Sequence, residues 1–332
     1  MRIFLTGATG YIGSALCRRL APEGHELRAL VRPTSRVEEL RSLGVATFVG
    51  DLQDRASMRE GMSGADWVVH AAAELDPASP HRTMEAANVA GSDNVASLAS
   101  KLGVPRFLSV SSIAWFGGSP SDGSLATEAS PPQQPFPTTY SATKHAGQQA
   151  IAAYAARGLR VNTVFPSLVY GPRGKRGGAN VMLKNLAKGR FPALIGADRK
   201  ASWVYLQDLV DGIVRVMEKA PPGRDYLLAG DVATVRELAD LTCATAGIAP
   251  PRRELSPGFA RAALTVAAPL MRLVGRRPPI PPRQIRSLAR HWAFDDTRAR
   301  TELGWQPRTL ADGLPPTVEF LLRPPQGTTE AA

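Results

Sequence analysis

The chain has 332 residues, 44% hydrophobic and 21% charged, an ordinary globular composition with room for one large or two moderate domains, which excludes disordered, collagen-like and disulfide-scaffold chains. Its only cysteines, Cys17 and Cys243, lie too far apart for a metal cluster or disulfide framework and fit a reducing compartment, the cytoplasm. The formal charge is +11, and Arg252 to Arg290 holds nine arginines against the single acid Glu254.

In chain order, short apolar runs at Arg2 to Thr6, Leu27 to Val31, Ala46 to Val49, Trp67 to Ala71, Phe107 to Val110 and Val161 to Phe165 alternate with helical segments. Each run is apolar on both faces, as parallel strands covered by helices on either side must be. The fold class expected is α/β, a doubly wound parallel sheet of Rossmann type. The first ten residues lack the features of a signal peptide. The apolar window Ala262 to Met271 contains Pro269 and is too short for a membrane span of about 20 residues. After Gly171 the pattern changes: glycine and basic residues fill Gly171 to Gly178, helical stretches follow, and proline is dense from Pro250 to Pro282. We expect a dinucleotide-binding domain over 1–170, with sheet-completing pieces around 200–230. A smaller, mainly helical substrate-binding domain follows over 171–199 and 231–325.

The segment Thr6-Gly7-Ala8-Thr9-Gly10-Tyr11-Ile12-Gly13 joins the first strand to a helix opening at about Tyr11. Glycines there allow a tight turn and a close backbone approach to a pyrophosphate, which the helix N-terminus then faces. Gly7, Gly10, Tyr11, Ile12 and Gly13 are therefore candidate cofactor contacts. At the end of the second strand, where an acid favours NAD and an arginine accommodates the 2′-phosphate of NADP, stands Arg32, with no acid from Leu27 to Val37 and with Arg28 and Arg36 adding charge. NADP is preferred; Arg32 read as a solvated surface residue leaves NAD open. Asp51 and Leu52, ending the third strand, are placed to cap the adenine. Ala71, Ala72 and Ala73 after the fourth strand are small enough for a cofactor to lie close, and His70 reads as a satisfied histidine at a strand end. No metal site is expected.

Tyr140 and Lys144 stand at i and i+4, on one face of a helix. An ammonium beside a phenol lowers its pKa from about 10, so Tyr140 is expected to exchange a proton with a substrate oxygen near neutrality. Ser111 and Ser112 end the fifth strand on the cofactor edge, and Ser112 can donate a hydrogen bond to the same oxygen.

These residues resemble the extended short-chain dehydrogenase/reductases, which include nucleotide-sugar epimerases and dehydratases, dihydroflavonol reductases and 3β-hydroxysteroid dehydrogenases. The resemblance runs through TGATGYIG, GDL, HAAA, SVSS, YSATK, PSLVYGP and FDDTRARTELGW, over nearly the whole chain. It implies Ser112, Tyr140 and Lys144 as the catalytic triad, with Lys144 also on the nicotinamide ribose, and Pro166 to Val169 passing the nicotinamide. It implies a structural place for Asn88 and, from relatives, a homodimer.

The family divides between net redox on small apolar molecules and transient oxidation within nucleotide-sugar epimerisation or dehydration. Epimerases of this kind typically hold the diphosphate with an arginine where this chain has Ala201, although Arg199 or Lys200 could substitute. Dehydratases usually place an acidic pair where Ile113 and Ala114 stand. Trp115, Phe116, Phe136 and Phe165 are read as an apolar pocket lining. Together with the Leu27 to Arg36 segment, which looks like that of bacterial dihydroflavonol-reductase and sterol-dehydrogenase relatives, they favour oxidoreduction of a lipophilic ketone or alcohol. A nucleotide-sugar epimerase and a cofactor-binding protein without turnover are the alternatives. No recognition motif accompanies the basic segment, so nucleic acid is not expected as a partner. Phe259, Ala263, Val266, Leu270 and Leu273 follow helical spacing between arginines, so weak peripheral contact of 259–277 with an anionic membrane is one reading and a solvated helix packed over the substrate pocket the other.

Overall fold

Strands buried on both faces made the main sheet legible, and six of its seven strands coincide with the apolar runs. The computed structural model describes residues 1–174, 178–273 and 285–323, and no side chain from 268 to 273. Twelve strands are present among them: β1 (Arg2–Thr6), β2 (Glu26–Val31), β3 (Ala46–Val49), β4 (Trp67–His70), β5 (Arg106–Val110), β6 (Val161–Pro166), β7 (Leu168–Tyr170), β8 (Leu194–Ile195), β9 (Lys200–Tyr205), β10 (Tyr226–Leu228), β11 (Asp231–Thr234) and β12 (Glu254–Leu255). The main sheet runs β10-β6-β5-β4-β1-β2-β3 and all its pairings are parallel. The chain order reverses between β1 and β4, and in doubly wound sheets the crevice beyond such a switch point takes the ligand.

Successive residues of a strand face opposite sides. Ile3 and Leu5 of β1 meet the helices Tyr11–Leu20 and Leu206–Lys219 through Leu16, Leu20, Leu209 and Ile213. Phe4 faces the other layer, where Met58, Val95 and Ile151 come from the helices Arg55–Met62, Gly91–Lys101 and Thr139–Ala155. The expectation of burial on both faces fails at β3, where Val49 is 64% exposed: this is the sheet edge, and one neighbour is missing.

Of the pieces around 200–230 expected to complete the main sheet, only β10 does so, beside β6. β9 lies instead between β7 and β11 in a separate three-stranded sheet, packed through Tyr170, Trp203, Leu238 and Leu314 against later helices. The C-terminal segment is tied back by Trp305 Nε1, which donates to the Asp208 carbonyl at 2.7 Å, and by Arg308, whose guanidinium meets both Asp208 carboxylate oxygens and lies 4.0 Å from the Tyr205 ring centre.

The apolar spacing from Phe259 falls on the helix Pro257–Leu273. The side chains of Leu270, Arg272 and Leu273, residues 274–284 with Arg276, Arg277, Arg283 and Pro278 to Pro282, and Lys175 to Gly177 of the glycine-basic stretch lie outside the described residues. Residues 324 and 325 of the expected substrate domain do so too. No helix among the described residues is long and apolar enough to cross a membrane.

Candidate active site

The glycine loop leaves β1 at the switch point, and its glycines are required sterically. Gly7 has φ +75°, and a Cβ there would stand 2.7 Å from the backbone of Ala71 and Ala72. A Cβ on Gly13 would lie 2.1 Å from the Gly7 carbonyl oxygen. Gly10 donates to that same oxygen at 2.9 Å and precedes the helix without a capping side chain. The first-turn N–H groups of Tyr11, Ile12 and Gly13 therefore have no intrahelical acceptor, and they open onto a cradle that only glycine leaves empty. This arrangement fits a dinucleotide pyrophosphate. The Tyr11 hydroxyl points elsewhere, donating to the Gly171 carbonyl at 2.8 Å, which leaves only its backbone for the loop.

At the end of β2, Arg32 is exposed and its guanidinium has no partner among the described residues. Arg36 is exposed too. Arg28 does not add charge at this point: its guanidinium meets Glu26 and the carbonyls of Gly61 and Ser63, nearer the start of the strand. Exposed Asp51 accepts the Gln53 N–H at 2.9 Å, and Leu52 beside it is half-buried. Ala71, Ala72 and Ala73 are half-buried next to Gly7. His70 is satisfied, in contact with Thr6 Oγ1 at 2.7 Å and Ser92 Oγ at 3.1 Å, and burial, followed by the Lys144 charge, brings its pKa down to about 3. Asn88 bonds the Glu74 backbone in both directions and Thr143 Oγ1, so it is held in a structural network.

Beyond β5, Ser112 comes within hydrogen-bonding reach of Tyr140 on the helix Thr139–Ala155, with Lys144 one turn further along that helix. Ser112 Oγ caps a short helix by accepting the Ala114 N–H at 3.1 Å. Thr138 caps the longer helix, its hydroxyl accepting the Ser141 N–H at 3.1 Å, and so sets Tyr140 in the first turn. Lys144 is buried and donates to the Val110 carbonyl at 3.3 Å; burial pushes its pKa down to about 8. The expected lowering of Tyr140 does not occur here. Burial pushes the phenol up to about 12, and the opposing influence is a hydrogen bond with Ser112. At neutral pH the phenol is therefore a protonated donor, and it is placed to give its proton to an oxygen beside Ser112.

The expected aromatic lining divides in two. Phe116 and Phe165 belong to a core cluster with Ile113, Leu227 and Phe294, because a strand interior and the turn beside it are already covered. Trp115 and Phe136 are half-buried on either side of His145, with ring centres 5.2 and 4.9 Å away. Pro166 is buried at the end of β6, and Val169 lies half-buried on β7 against the main core. Ala201 is buried in the smaller core. Arg199 is engaged by Asp198 and His291, and Lys200 Nζ by the Gly123 carbonyl. A cavity of about 440 Å³ opens between Phe136 and Pro137 on one side and Pro257, Arg261, Ile285 and Arg286 on the other. Residues 285–290 carried no site signal in the sequence. Yet Arg290 Nη1 and Nη2 donate to the carbonyls of Gly117, Gln133 and Pro135, bolting this wall to the loops that carry Ser112 and Tyr140. Among the described residues no group of three His, Cys, Asp or Glu side chains is placed to hold a metal ion.

The description "NAD dependent epimerase/dehydratase family" matches residues 3–229. Sterol demethylase protein B of Methylococcus capsulatus is 30% identical over 92% of this chain and 94% of its own length. A 2-alkyl-3-oxoalkanoate reductase of Stenotrophomonas maltophilia is 28% identical over 95% and 97%. The crystal structure of a UDP-glucose 4-epimerase from Thermotoga maritima superposes with a TM-score of 0.77 at 21% identity, over 97% of this chain and 99% of the other, which shows the shared fold.

Proposed function

Because the chain belongs to the NAD dependent epimerase/dehydratase family and is an NAD(P)-dependent enzyme of the short-chain dehydrogenase/reductase type, we propose that it interconverts a ketone and a secondary alcohol on a lipophilic small molecule, steroid-, sterol- or flavonoid-like. What supports this reading is the hydrogen bond of Tyr140 with Ser112, Lys144 one helical turn further on, an apolar-walled cavity lined by Phe136 and Pro137 just before Tyr140 in the chain, and the buried Ala201 at the position that would hold a sugar diphosphate.

The bound nicotinamide supplies or accepts the hydride. In the reductive direction Ser112 donates a hydrogen bond to the carbonyl oxygen, Tyr140 delivers the proton that completes the alcohol, and Lys144 holds the nicotinamide ribose and the phenol's electrostatics. Gly7, Gly10, Tyr11, Ile12 and Gly13 hold the pyrophosphate through the backbone. Asp51 and Leu52 border the adenine, and Ala71 to Ala73, Pro166 and Val169 line the nicotinamide side. In this reading residues 1–170 and the strand near 226 form the cofactor half, and 171–199 and 231–325 the substrate half. A screen of NADPH and NADH oxidation against ketones, aldehydes and steroid-like compounds, alongside UDP- and dTDP-sugars, tests it. Turnover confined to the nucleotide sugars would overturn it in favour of epimerisation.

NADP is the preferred cofactor, because the unpartnered Arg32 guanidinium is suited to a charge-assisted, bidentate contact with the 2′-phosphate. Arg32→Asp is expected to reverse the preference toward NAD. Equal affinities of the unaltered protein for the two cofactors, measured by titration, would remove the claim.

We further propose a cytoplasmic homodimer that touches anionic membrane surfaces reversibly. On the helix Pro257–Leu273, Phe259 and Val266 are 61% and 71% exposed, beside the exposed Arg252, Arg253 and Arg261. Cosedimentation with anionic vesicles is expected at low salt and is lost at high salt, because arginine attraction to headgroups is screened over about 10 Å at 0.1 M. Absence from both anionic and neutral pellets at low salt would reduce the helix to a solvated one.

A further inference from the structure

The cavity lined by Phe136 and Pro137, just before Tyr140 in the chain, carries more positive charge than its walls can use. Three of its ten lining residues are arginines and none is acidic. Arg290 is spent on the carbonyls of Gly117, Gln133 and Pro135. Arg261 and Arg286 differ from it: their guanidinium groups have no hydrogen-bond or ion-pair partner among the described residues, and both are exposed at the cavity rim. The sequence contains no acid between Glu254 and Asp295, so the neighbouring chain offers them no counterion. Two like charges on the rim of one apolar cleft repel each other, and a bound anion converts that repulsion into attraction. Away from the arginines the wall is apolar, with Phe136, Pro137, Pro257 and Ile285. Phe136 is the near end of that wall: its ring packs on His145, in the same helix as Tyr140 and Lys144.

We propose that the substrate is an amphiphile, a lipophilic ketone or alcohol bearing a carboxylate, whose acid group is held by Arg261 and Arg286 while its chain lies along Phe136 and its carbonyl reaches Ser112 and Tyr140. Guanidinium groups suit this role because they meet a carboxylate through paired N–H donors. The inference rests on the redox reading above and adds a specificity subsite to it.

A binding experiment separates the two claims, since it needs no turnover. Dodecanoate, dodecan-1-ol and methyl dodecanoate are titrated as monomers, without vesicles, into the full-length protein, following tryptophan fluorescence and heat. The acid is expected to bind about tenfold tighter than the alcohol or ester, the size of one charge-assisted hydrogen bond net of solvation. That preference shrinks with salt, disappears in Arg261→Gln/Arg286→Gln and survives in part in Arg261→Lys/Arg286→Lys. Both positions are exposed, so a melting temperature equal to that of the unaltered protein certifies the folds. Equal binding of acid and ester, or a preference that the double glutamine variant retains, overturns the subsite. In turnover, 11-oxododecanoate, whose ketone and carboxylate stand at opposite ends of the chain, is expected to exceed its methyl ester by a similar factor in kcat/KM. Failure of every ketone to turn over, with the carboxylate preference in binding intact, would remove the redox reading and leave the anion subsite in place.

Discussion

Replacing Tyr140 by phenylalanine is expected to lower turnover by about two orders of magnitude or more while NADPH affinity and melting temperature stay near those of the unaltered protein. The change deletes one hydroxyl and keeps the ring, so packing around the half-buried side chain is preserved. Ser112 loses one hydrogen-bond partner but still accepts the Ala114 N–H. What disappears is the group proposed to hand its proton to the substrate oxygen. With its pKa pushed up to about 12 by burial, the phenol is fully protonated at neutral pH and acts as the acid in reduction. In oxidation Tyr140 would have to be the phenolate in order to accept the alcohol proton, so its own proton must first leave to solvent. Steady-state rates in both directions, on the substrate found by screening, check the assignment. A variant turning over near the unaltered rate would show that another group supplies the proton.

The second large effect is expected at the glycine loop. Gly13→Ala would put a Cβ 2.1 Å from the Gly7 carbonyl oxygen, and backbone cannot step aside as a flexible side chain does. Either the first helical turn or the loop must shift, and both carry the N–H groups proposed to face the pyrophosphate. An overpacking cost of up to about 3 kcal/mol, expressed in binding, is roughly a hundredfold loss of NADPH affinity. Gly24→Ala is the control. Gly24, unlike Gly13, has positive φ, but a Cβ there meets nothing within 4 Å, so that variant suffers local backbone strain without touching the cradle. Fluorescence titration of NADPH, with circular dichroism to confirm the fold, separates the two variants. Undiminished affinity in Gly13→Ala would mean that the pyrophosphate does not lie on this loop.

The sequence by itself determined the sheet, the glycine turn and the helix pair of Tyr140 and Lys144. Each is written in local spacing: strands buried twice read as unbroken apolar runs, a turn against a helix start needs glycine, and i, i+4 residues share a face. β3 shows the limit of that code, because an apolar run does not say whether a strand has neighbours on both sides. Which sheet a short strand joins was likewise decided by tertiary packing, which sent β9 to the smaller sheet and β10 to the larger. Burial decided the rest of the site. Among aromatic residues with the same sequence signature it put Phe116 and Phe165 in the core, left Trp115 half-buried against them and placed Phe136 on the cavity wall. It raised the Tyr140 pKa where proximity to a lysine suggested the reverse. Arg290 was invisible beforehand for another reason. Its partners are backbone carbonyls of Gly117, Gln133 and Pro135, more than 150 positions away, and every residue has a carbonyl, so no residue type marks it in advance. Only the folded chain distinguishes that arginine, spent on structure, from Arg261 and Arg286, left facing the cavity.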